Sequence, residues 1–396
     1  MTHRIHDLPR VEIVDESLRE GMQIEDAQIE PAEKIRLLDA LSTAGLPTLI
    51  VGSFVSPTWV PQMARVEEVI AGFTPREGTT YTALALNARG AARRAALTAP
   101  HGPLSVLPDV PRSTIHLCDV FVRRNTNKSQ ADEIAALPRT IAAAVERGVT
   151  EATVAINAAW GSNWLGQFSL EQRLAYAAYQ YDAWTAAGIA VTTFWIGDPM
   201  SWNTPRAMEE TVAAFRERWP EVKRYHLHLH DARGTALTSF YQALRGLTAE
   251  HTLGVDVAIG GMGGCPYCGN GRATKMIPTE DLVDLLHEEG VETGIDLGLL
   301  IEAAHLAEEV VGHELYGKVS KAGPRPRGAQ LYPMDMPFVE STEQAQHFRL
   351  GAEVYADAPS PYQEPITSAA RDAIEAGLPV PLQVPVAGPV QSQQEH

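Results

Sequence analysis

Residues 190–230 read AVTTFWIGDPMSWNTPRAMEETVAAFRERWPEVKRYHLHLH, and this stretch decides the fold class. Two short segments rich in β-branched and aromatic residues, 190–198 and 224–230, are typical of buried strands. The longer segment between them has the apolar spacing of an amphipathic helix, which is expected to begin near Thr204. A strand, a helix and a second strand in this order form the repeating unit of a parallel α/β sheet.

The same unit recurs from about residue 10 to residue 290. We predict strands at 11–17, 48–54, 80–87, 114–122, 152–160, 190–198, 224–230 and 253–261. The helices between them are expected to begin near Pro31, Thr58, Ala88, Gln130, Ser169, Thr204, Ala236 and Thr279. Eight units favour a (β/α)8 TIM barrel over an open doubly wound sheet, because polar residues concentrate at the carboxyl ends of the strands, where a barrel builds its site.

The composition changes after the predicted barrel. We expect the barrel over residues 1–290, a helical extension that packs against it over 291–327, and a Pro-rich, partly irregular C-terminal segment over 328–396. One helix is predicted within 366–377, and the residues from about Pro379 onward are expected to be irregular.

The charge balance restricts the possible partners. The chain has 396 residues, of which 45% are hydrophobic, and a formal net charge of −17, which argues against non-specific binding to nucleic acid or anionic membranes. It has no long apolar run, no secretory signal pattern and only three cysteines, too few for a disulfide scaffold. We therefore expect a cytoplasmic protein with a small-molecule substrate, and a homodimer is compatible with the added helix.

Three histidines stand at every second position of the seventh predicted strand: His226, His228 and His230. Alternate residues of a strand share one face, so all three point either into the barrel or toward the helices. His228 and His230 lie nearest the barrel mouth, where two neutral imidazoles can share a metal ion, and Asp231 could orient one of them. The residues alone leave two readings equally open, a metal site and hydrogen-bonded core histidines.

Polar residues also follow the first predicted strand, where Arg19, Glu20 and Gln23 surround Gly21. In a barrel these side chains can converge with the seventh strand on one ion. A mixed set of carboxylate and imidazole ligands suits Mg²⁺ or Mn²⁺, while Zn²⁺ or Co²⁺ remains an alternative.

The segment after the eighth strand, GGMGGCPYCGNGRATK (260–275), is rich in glycine and can bring its backbone close to a ligand. Its Cys265 and Cys268 form a C-x-x-C pair, and such pairs can act as redox centres. In thioredoxin-like proteins, however, the pair stands just before a helix of a small mixed fold, whereas here it follows a barrel strand. A structural zinc site would need more ligands than this pair supplies. Cys265 is better suited to acid–base work at a metal centre.

Several segments resemble 3-hydroxy-3-methylglutaryl-CoA (HMG-CoA) lyase and the wider superfamily of DRE-TIM metallolyases, which includes isopropylmalate and homocitrate synthases. These segments are SFVSPTWVPQM (53–63), GDPMSWNTP (197–205), HLHDARG (228–234), GGMGGCPY (260–267) and TEDLVDLL (279–286). The resemblance covers about residues 10–325. It implies a TIM barrel, a divalent metal and an acyl-CoA or hydroxy-acid or oxo-acid substrate.

The resemblance also implies roles for single residues. The metal ligands would be Glu20, His228, His230 and Asn270. Arg19 would stabilise an enolate, Cys265 would protonate it, and Asp198 would assist proton transfer or substrate positioning. We further expect substrate contacts from Gln23, Ser53, Arg123, Arg124, Trp160 and Trp195. For the two arginines the alternative is simple solvation, and for the tryptophans, with Trp164, it is packing under the helices.

Three positions depart from the lyase pattern. Glu20 stands where the lyase has aspartate, and SLREG (17–21) is closer to the homocitrate synthase type. Ile50 stands where the family has a functional glutamate at the end of the second strand, which predicts the loss of a polar contact near the reacting centre. The segment between Cys265 and Thr279 is longer than in the lyase.

These features predict a metal-dependent lyase that cleaves a carbon–carbon bond of an HMG-CoA-like thioester by a retro-Claisen or retro-aldol reaction. One alternative is a synthase that condenses a 2-oxo acid with an acyl-CoA, which Glu20 favours. A second, from another class, is a barrel without catalysis that serves as a scaffold, which Ile50 allows.

Overall fold

The structure is a computed structural model that describes residues 7–85, 87–269 and 274–381. The chain divides into two units after Ser320. The first unit, Met1–Ser320, holds the main sheet and most of the helices, and Lys321–His396 form the second. None of the helices in the described part of the chain is long and apolar enough to cross a bilayer.

Eight parallel strands form the main sheet. Strands 1 to 8 are Arg10–Asp15, Thr48–Ser53, Thr80–Leu84, Arg112–His116, Glu151–Asn157, Ala190–Asp198, Arg224–Leu229 and Thr252–Val257. Their order in the sheet is 3-2-1-8-7-6-5-4, so strand 1 pairs with strand 8 and the sheet follows the circular order of a (β/α)8 barrel. The predicted fold class is therefore confirmed, and the carboxyl ends of all eight strands meet at one face.

Helices follow the strands as the alternation predicts. The α-helices of the first unit with known bounds are Pro31–Thr43, Val66–Gly72, Ala88–Ala95, Asp119–Thr126, Gln130–Glu146, Leu170–Ala186, Pro205–Arg218, Ala236–Gly246, Thr279–Glu288 and Leu297–Val311. Pro31 occupies the first helical turn, where its missing N–H is not needed. Ser169 and Gln172 form a complete capping box.

Strands 3, 5 and 8 end at Leu84, Asn157 and Val257, three or four residues earlier than predicted. Two further expectations about element boundaries are also wrong. Strand 4 ends at His116, and the residues after it form the helix Asp119–Thr126, because the Cys118 sulfur accepts from the Phe121 amide and starts a helical turn. The second helix begins at Val66 rather than near Thr58, since Pro61 disfavours helical geometry in the residue before it and a 3-10 turn, Pro61–Met63, comes first.

Alternation along each strand separates an outer from an inner layer, and strand 6 shows it clearly. Phe194 points outward and packs edge-on against Phe215 of the helix Pro205–Arg218, with ring centroids 4.8 Å apart. Its neighbour Trp195 points inward, into the barrel. The apolar core between sheet and helices therefore fixes which side chains of the strands face the interior.

The sheet is open between strands 3 and 4, which form no ladder with each other in the described residues. Ser105 lies beside strand 3 instead, where its amide donates to the Tyr81 carbonyl. Leu84 of strand 3 and Arg112 of strand 4 line the same cavities, so the barrel interior keeps open volume at this gap.

In its described part, the second unit contains short elements only. Its α-helices are His347–Leu350 and Ala369–Glu375 within the described residues, joined by 3-10 turns and irregular segments, together with the helix Val319–Ala322 that spans the division. Ala369–Glu375 confirms the helix predicted within 366–377. The expected irregular end of the chain falls mostly on residues 382–396, which lie outside the described residues.

Candidate active site

The first element of the site is the turn that follows strand 1. Ser17–Gly21 form a single π-helical turn, which projects Arg19 and Glu20 over the carboxyl end of the barrel. Asp15 holds the turn in place, because its carboxylate accepts from the Ser17 amide at 2.9 Å and from the Thr279 hydroxyl at 2.7 Å. The end of strand 1 is thereby tied to the segment that follows strand 8.

The histidines of strand 7 supply the second element. The His230 Nδ1 atom faces the carbonyl oxygen of Thr274, which can only accept, so Nδ1 carries a proton and Nε2 holds a lone pair. The His228 Nδ1 atom lies 2.8 Å from a carboxylate oxygen of Asp256, an acceptor, so the neutral form of His228 holds its lone pair on Nε2 too. These two Nε2 atoms are only 3.3 Å apart. Two lone pairs that face each other at this distance need a cation or a proton between them.

Glu20 completes a group of three possible ligands. One ligand atom each from Glu20, His228 and His230 lies within 4.8 Å of the others, and all three residues are buried. Burial would raise the pKa of Glu20, but the charge of Arg19 and the two histidines more than offset it and lower the pKa overall. Burial, together with His228, lowers the pKa of His230 to about 4. The group thus combines one carboxylate with two imidazoles, a set that fits a divalent cation.

Asp256, a residue that sequence reasoning missed, orients two histidines. It lies on strand 8 beside His228, and its two oxygens contact the His226 Nε2 atom at 2.6 Å and the His228 Nδ1 atom at 2.8 Å. A charged residue within the apolar run LGVDVAIGG was the available signal. The expectation that Asp231 orients a histidine is wrong, because its carboxylate instead accepts from the Ala236 amide at 2.7 Å and holds the start of a helix.

Arg19 lies between two carboxylates. Its guanidinium contacts Glu20 on one side and Glu16 on the other, and all three side chains are largely buried. Glu16 was not predicted as a site residue. Ile50 pairs with Thr82 of strand 3 and is not among the residues that line the cavity described next.

A cavity of about 380 Å³ opens at this face of the barrel. Of the predicted site residues, it is lined by Arg19, Glu20, Gln23, Ser53, Trp195, His228, His230 and Cys265. The Ser53 hydroxyl is buried and has no hydrogen-bond partner among the described residues, so it is available to a ligand. Strands 1, 2, 6 and 7 and the segment after strand 8 therefore bring these eight residues together.

The segment after strand 8 carries Cys265, which is buried at the cavity wall, with its amide donating to the Thr274 hydroxyl at 2.7 Å. Gly263 has a φ of +100°, and a side chain there would press within 3.1 Å of the Glu20 carbonyl oxygen. Glycine is thus required for this loop to approach the strand 1 turn. Asn270, the fourth ligand implied by the resemblance, lies outside the described residues.

Four predicted site residues do not line the cavity. Asp198 is fully buried and accepts from the Asn203 amide at 2.7 Å, and Trp160 is buried with its indole N–H donating to the Thr211 hydroxyl at 3.2 Å. Arg123 and Arg124 lie in the last turn of the helix Asp119–Thr126.

Arg124 nevertheless contacts the loop that carries Cys265. Its Nε atom donates to the Tyr267 carbonyl at 3.0 Å, and its guanidinium lies over the Trp164 ring. The Asn163 amide donates to the Cys268 carbonyl at 3.0 Å. The helix after strand 4 and the loop after strand 5 therefore support the segment after strand 8 that carries Cys265.

Together, the barrel and the group of two histidines and one glutamate at its carboxyl face define a barrel enzyme of the metallolyase type. The family comparison agrees: the HMGL-like model matches residues 10–307, and the chain belongs to this family. The family membership inferred from the sequence motifs is thus confirmed.

The curated relatives are carbon–carbon lyases. The 3-hydroxy-3-isohexenylglutaryl-CoA/hydroxy-methylglutaryl-CoA lyase of Pseudomonas aeruginosa is 33% identical over 80% of this chain and 98% of its own length. The (R)-citramalyl-CoA lyase of Chloroflexus aurantiacus is 32% identical over 79% of this chain and 95% of its own length.

A solved relative gives the same result. The HMG-CoA lyase of Acinetobacter baumannii, determined with coenzyme A and 3-methylmalate, has a TM-score of 0.65 and 27% identity. The match covers 84% of this chain and 100% of the relative. The predicted class of enzyme, a carbon–carbon lyase, is therefore supported by sequence and by fold.

Proposed function

We propose that this protein is a divalent-metal-dependent lyase that cleaves a 3-hydroxy acid thioester of coenzyme A, of the HMG-CoA type. The observation that carries the proposal is the pair of Nε2 atoms of His228 and His230, which face each other 3.3 Å apart beside the Glu20 carboxylate. The relatives, which act on HMG-CoA or citramalyl-CoA by name, supply the substrate class.

Glu20, His228 and His230 would hold the metal, with Asn270 as a further ligand from the loop after strand 8. Mg²⁺ or Mn²⁺ suits the carboxylate and the imidazoles best, and Zn²⁺ or Co²⁺ is the alternative. When bound, the ion supplies Lewis acidity that lowers the pKa of the tertiary hydroxyl of the substrate.

The chain's own residues then account for the cleavage. A base takes the proton of the 3-hydroxyl group as the bond between C2 and C3 of the acyl group breaks. The hydroxyl oxygen becomes the carbonyl of a ketone at C3, and the bonding electrons pass to C2 and form the enolate of the thioester. Arg19, held by Glu16 and Glu20, lies where it can stabilise the enolate oxygen, and loss of such a donor typically costs on the order of 10²–10³ in rate. The Cys265 thiol donates a proton to the enolate carbon and completes the product.

Other predicted residues bind the substrate or position neighbouring groups of the site. Gln23 hydrogen-bonds Glu20, and the free Ser53 hydroxyl faces the same cavity. We assign Asp198 to positioning, since it fixes the loop after strand 6 through Asn203. Arg124 supports the Cys265 loop through Tyr267, and this contact with a catalytic loop favours it over Arg123 for a role near coenzyme A. The alternative of a condensing synthase gains no support from the relatives, which are lyases.

The test is a cleavage assay with HMG-CoA and citramalyl-CoA, in which acetyl-CoA is measured with Mg²⁺ or Mn²⁺ present. We expect activity that EDTA abolishes and that Mn²⁺ restores. Cys265→Ala should abolish product formation, while Cys118→Ser is a matched control, since Cys118 only caps a helix and serine can do the same. Activity that is indifferent to EDTA, or fully retained in Cys265→Ala, would contradict the mechanism.

A further inference from the structure

The third histidine of strand 7, His226, has no role in the site described so far. It lies two residues before His228 on the same face of the strand, one pleat further from the mouth of the barrel. Its side chain lines a second cavity, of about 680 Å³ at the amino ends of the strands, and not the cavity at the mouth. A substrate bound at the three ligands is therefore out of its reach.

His226 contacts the carboxylate of Asp256 instead. Its Nε2 atom lies 2.6 Å from Oδ1, while Oδ2 of the same carboxylate lies 2.8 Å from the His228 Nδ1 atom. A carboxylate can only accept hydrogen bonds, so the ring nitrogen at each of these contacts carries a hydrogen and donates it. The two imidazoles thus hold Asp256 from two sides, with one donor at each oxygen.

These two contacts decide how the carboxylate is oriented. Asp256 is buried, and the two histidines are its only hydrogen-bond donors within the described part of the chain. Without the His226 side chain, Oδ1 would be left inside the barrel without a donor from the protein, which is costly for a charged group. The carboxylate would then be free to rotate about its Cβ–Cγ bond, and Oδ2 would no longer be held against His228.

Strand 8 leaves space for this contact. Gly254 pairs with His226 in the ladder between strands 7 and 8, and a Cβ atom at Gly254 would lie 2.3 Å from the His226 Nδ1 atom. With any other residue at this position, the ring would have to shift away from Asp256, which is two positions further along strand 8. Glycine weakens the interior of a strand, and here it marks a close approach. The bond between His226 and Asp256 is therefore part of the packing of two neighbouring strands.

We propose that His226 is a positioning residue for the metal site: it donates to Asp256 and so fixes the carboxylate that keeps the His228 Nε2 atom directed at the ion. The inference rests on the proposed function, in which His228 is a metal ligand. It divides the histidines of strand 7 by task, because His228 and His230 would contact the ion and His226 would support the first of them from below. The alternative is a core histidine that affects stability alone.

The experiment measures the dissociation constant of Mn²⁺ by calorimetric titration of the metal-free protein. His226→Ala should weaken binding about 3- to 10-fold, less than a change at Asp256, because His226 is one residue further from the ion. His226→Gln should restore the affinity to within about twofold of the parent, since its amide nitrogen can donate from nearly the same position as Nε2. Circular dichroism shows that each variant is folded.

His313→Ala is the matched control. The His313 Nε2 atom also contacts a carboxylate, that of Glu25 at 2.9 Å, and its side chain is 27% exposed, compared with 21% for His226. This pair has no contact with the three ligands in the described part of the chain, so we expect the Mn²⁺ affinity of the parent. An equal loss of affinity in His313→Ala and His226→Ala would overturn the proposal.

A double-mutant cycle separates positioning from a general loss of stability. In the Asp256→Asn protein, the further change His226→Ala should alter the Mn²⁺ affinity by less than about twofold, because the two residues act through one contact. The proposal is wrong if His226→Ala costs the same factor in this background as in the parent. It is also wrong if His226→Ala alone leaves the affinity within about twofold of the parent.

A parent protein that binds no Mn²⁺ contradicts the proposed function, and a second measurement then tests His226 independently. In metal-free protein with isotope-labelled histidine, NMR at alkaline pH, where imidazoles are neutral, shows which ring nitrogen of His228 carries the proton. We expect Nδ1 in the parent and a mixture of both tautomers in His226→Ala. An unchanged Nδ1 tautomer in His226→Ala would overturn the proposal.

Discussion

Replacement of Asp256 by asparagine tests the geometry of the candidate metal site most directly. Asp256 keeps a proton on the His228 Nδ1 atom and thereby leaves the Nε2 lone pair free for an ion. Asparagine has one acceptor oxygen in place of two and a donor NH2 group, so it cannot accept from both His226 and His228. One charge-assisted hydrogen bond is lost, worth about 1.5–3 kcal/mol, and metal affinity should fall about 10- to 100-fold.

The assay is calorimetric titration of the metal-free protein with Mn²⁺, with circular dichroism to show that each variant is folded. Asp231→Asn is the matched control, because Asp231 is the next acid along the chain after the histidines but only holds the start of the helix Ala236–Gly246. We expect its Mn²⁺ affinity to match that of the parent. An Asp256→Asn protein that binds Mn²⁺ within twofold of the parent would refute the reasoning, as would equal losses in both variants.

Three further outcomes are expected. Burial raises the pKa of Glu280 to about 8, so the native state retains a proton that the unfolded state releases. The free energy of unfolding should therefore fall as the pH rises from about 4.5 to 8, by at most about 5 kcal/mol. Urea titrations across this pH range should show the decrease, and it should disappear in Glu280→Gln. Glu16→Gln should lower kcat about tenfold with a smaller change in KM, because Arg19 loses one of its two supports, whereas Glu12→Gln should change neither constant. Mn²⁺ at 100 times its Kd should stabilise the protein by about 2.7 kcal/mol, seen as a higher Tm that His228→Ala abolishes.

The order of the strands was predictable from the sequence, because each strand and helix shows its own period of apolar residues. The segments 190–198 and 224–230 were located to within one residue of the strands that form. The convergence of Glu20 with His228 and His230 was also predictable, since the carboxyl ends of parallel strands meet at one face of a barrel.

The partners of these residues were not predictable, because sequence neighbours and spatial neighbours differ. Asp231 follows His230 directly, but its carboxylate reaches a helix start, while Asp256 lies next to His228 only because strands 7 and 8 pair in one register. The helix Asp119–Thr126 was read as strand because DVFV has a strand-like composition, and the sulfur cap at Cys118 that starts the helix is a rare one.

The loss of a carboxylate at Ile50 has a counterpart elsewhere in the site. The resemblance places a glutamate at the end of strand 2, and its absence predicted a missing polar contact near the reacting centre. In the structure the Arg19 guanidinium is nevertheless flanked by two carboxylates, because Glu16, in the turn after strand 1, contacts it from the side opposite Glu20. Arg19 therefore keeps two carboxylate partners without any contribution from strand 2. Ile50 does not by itself indicate that catalysis is lost.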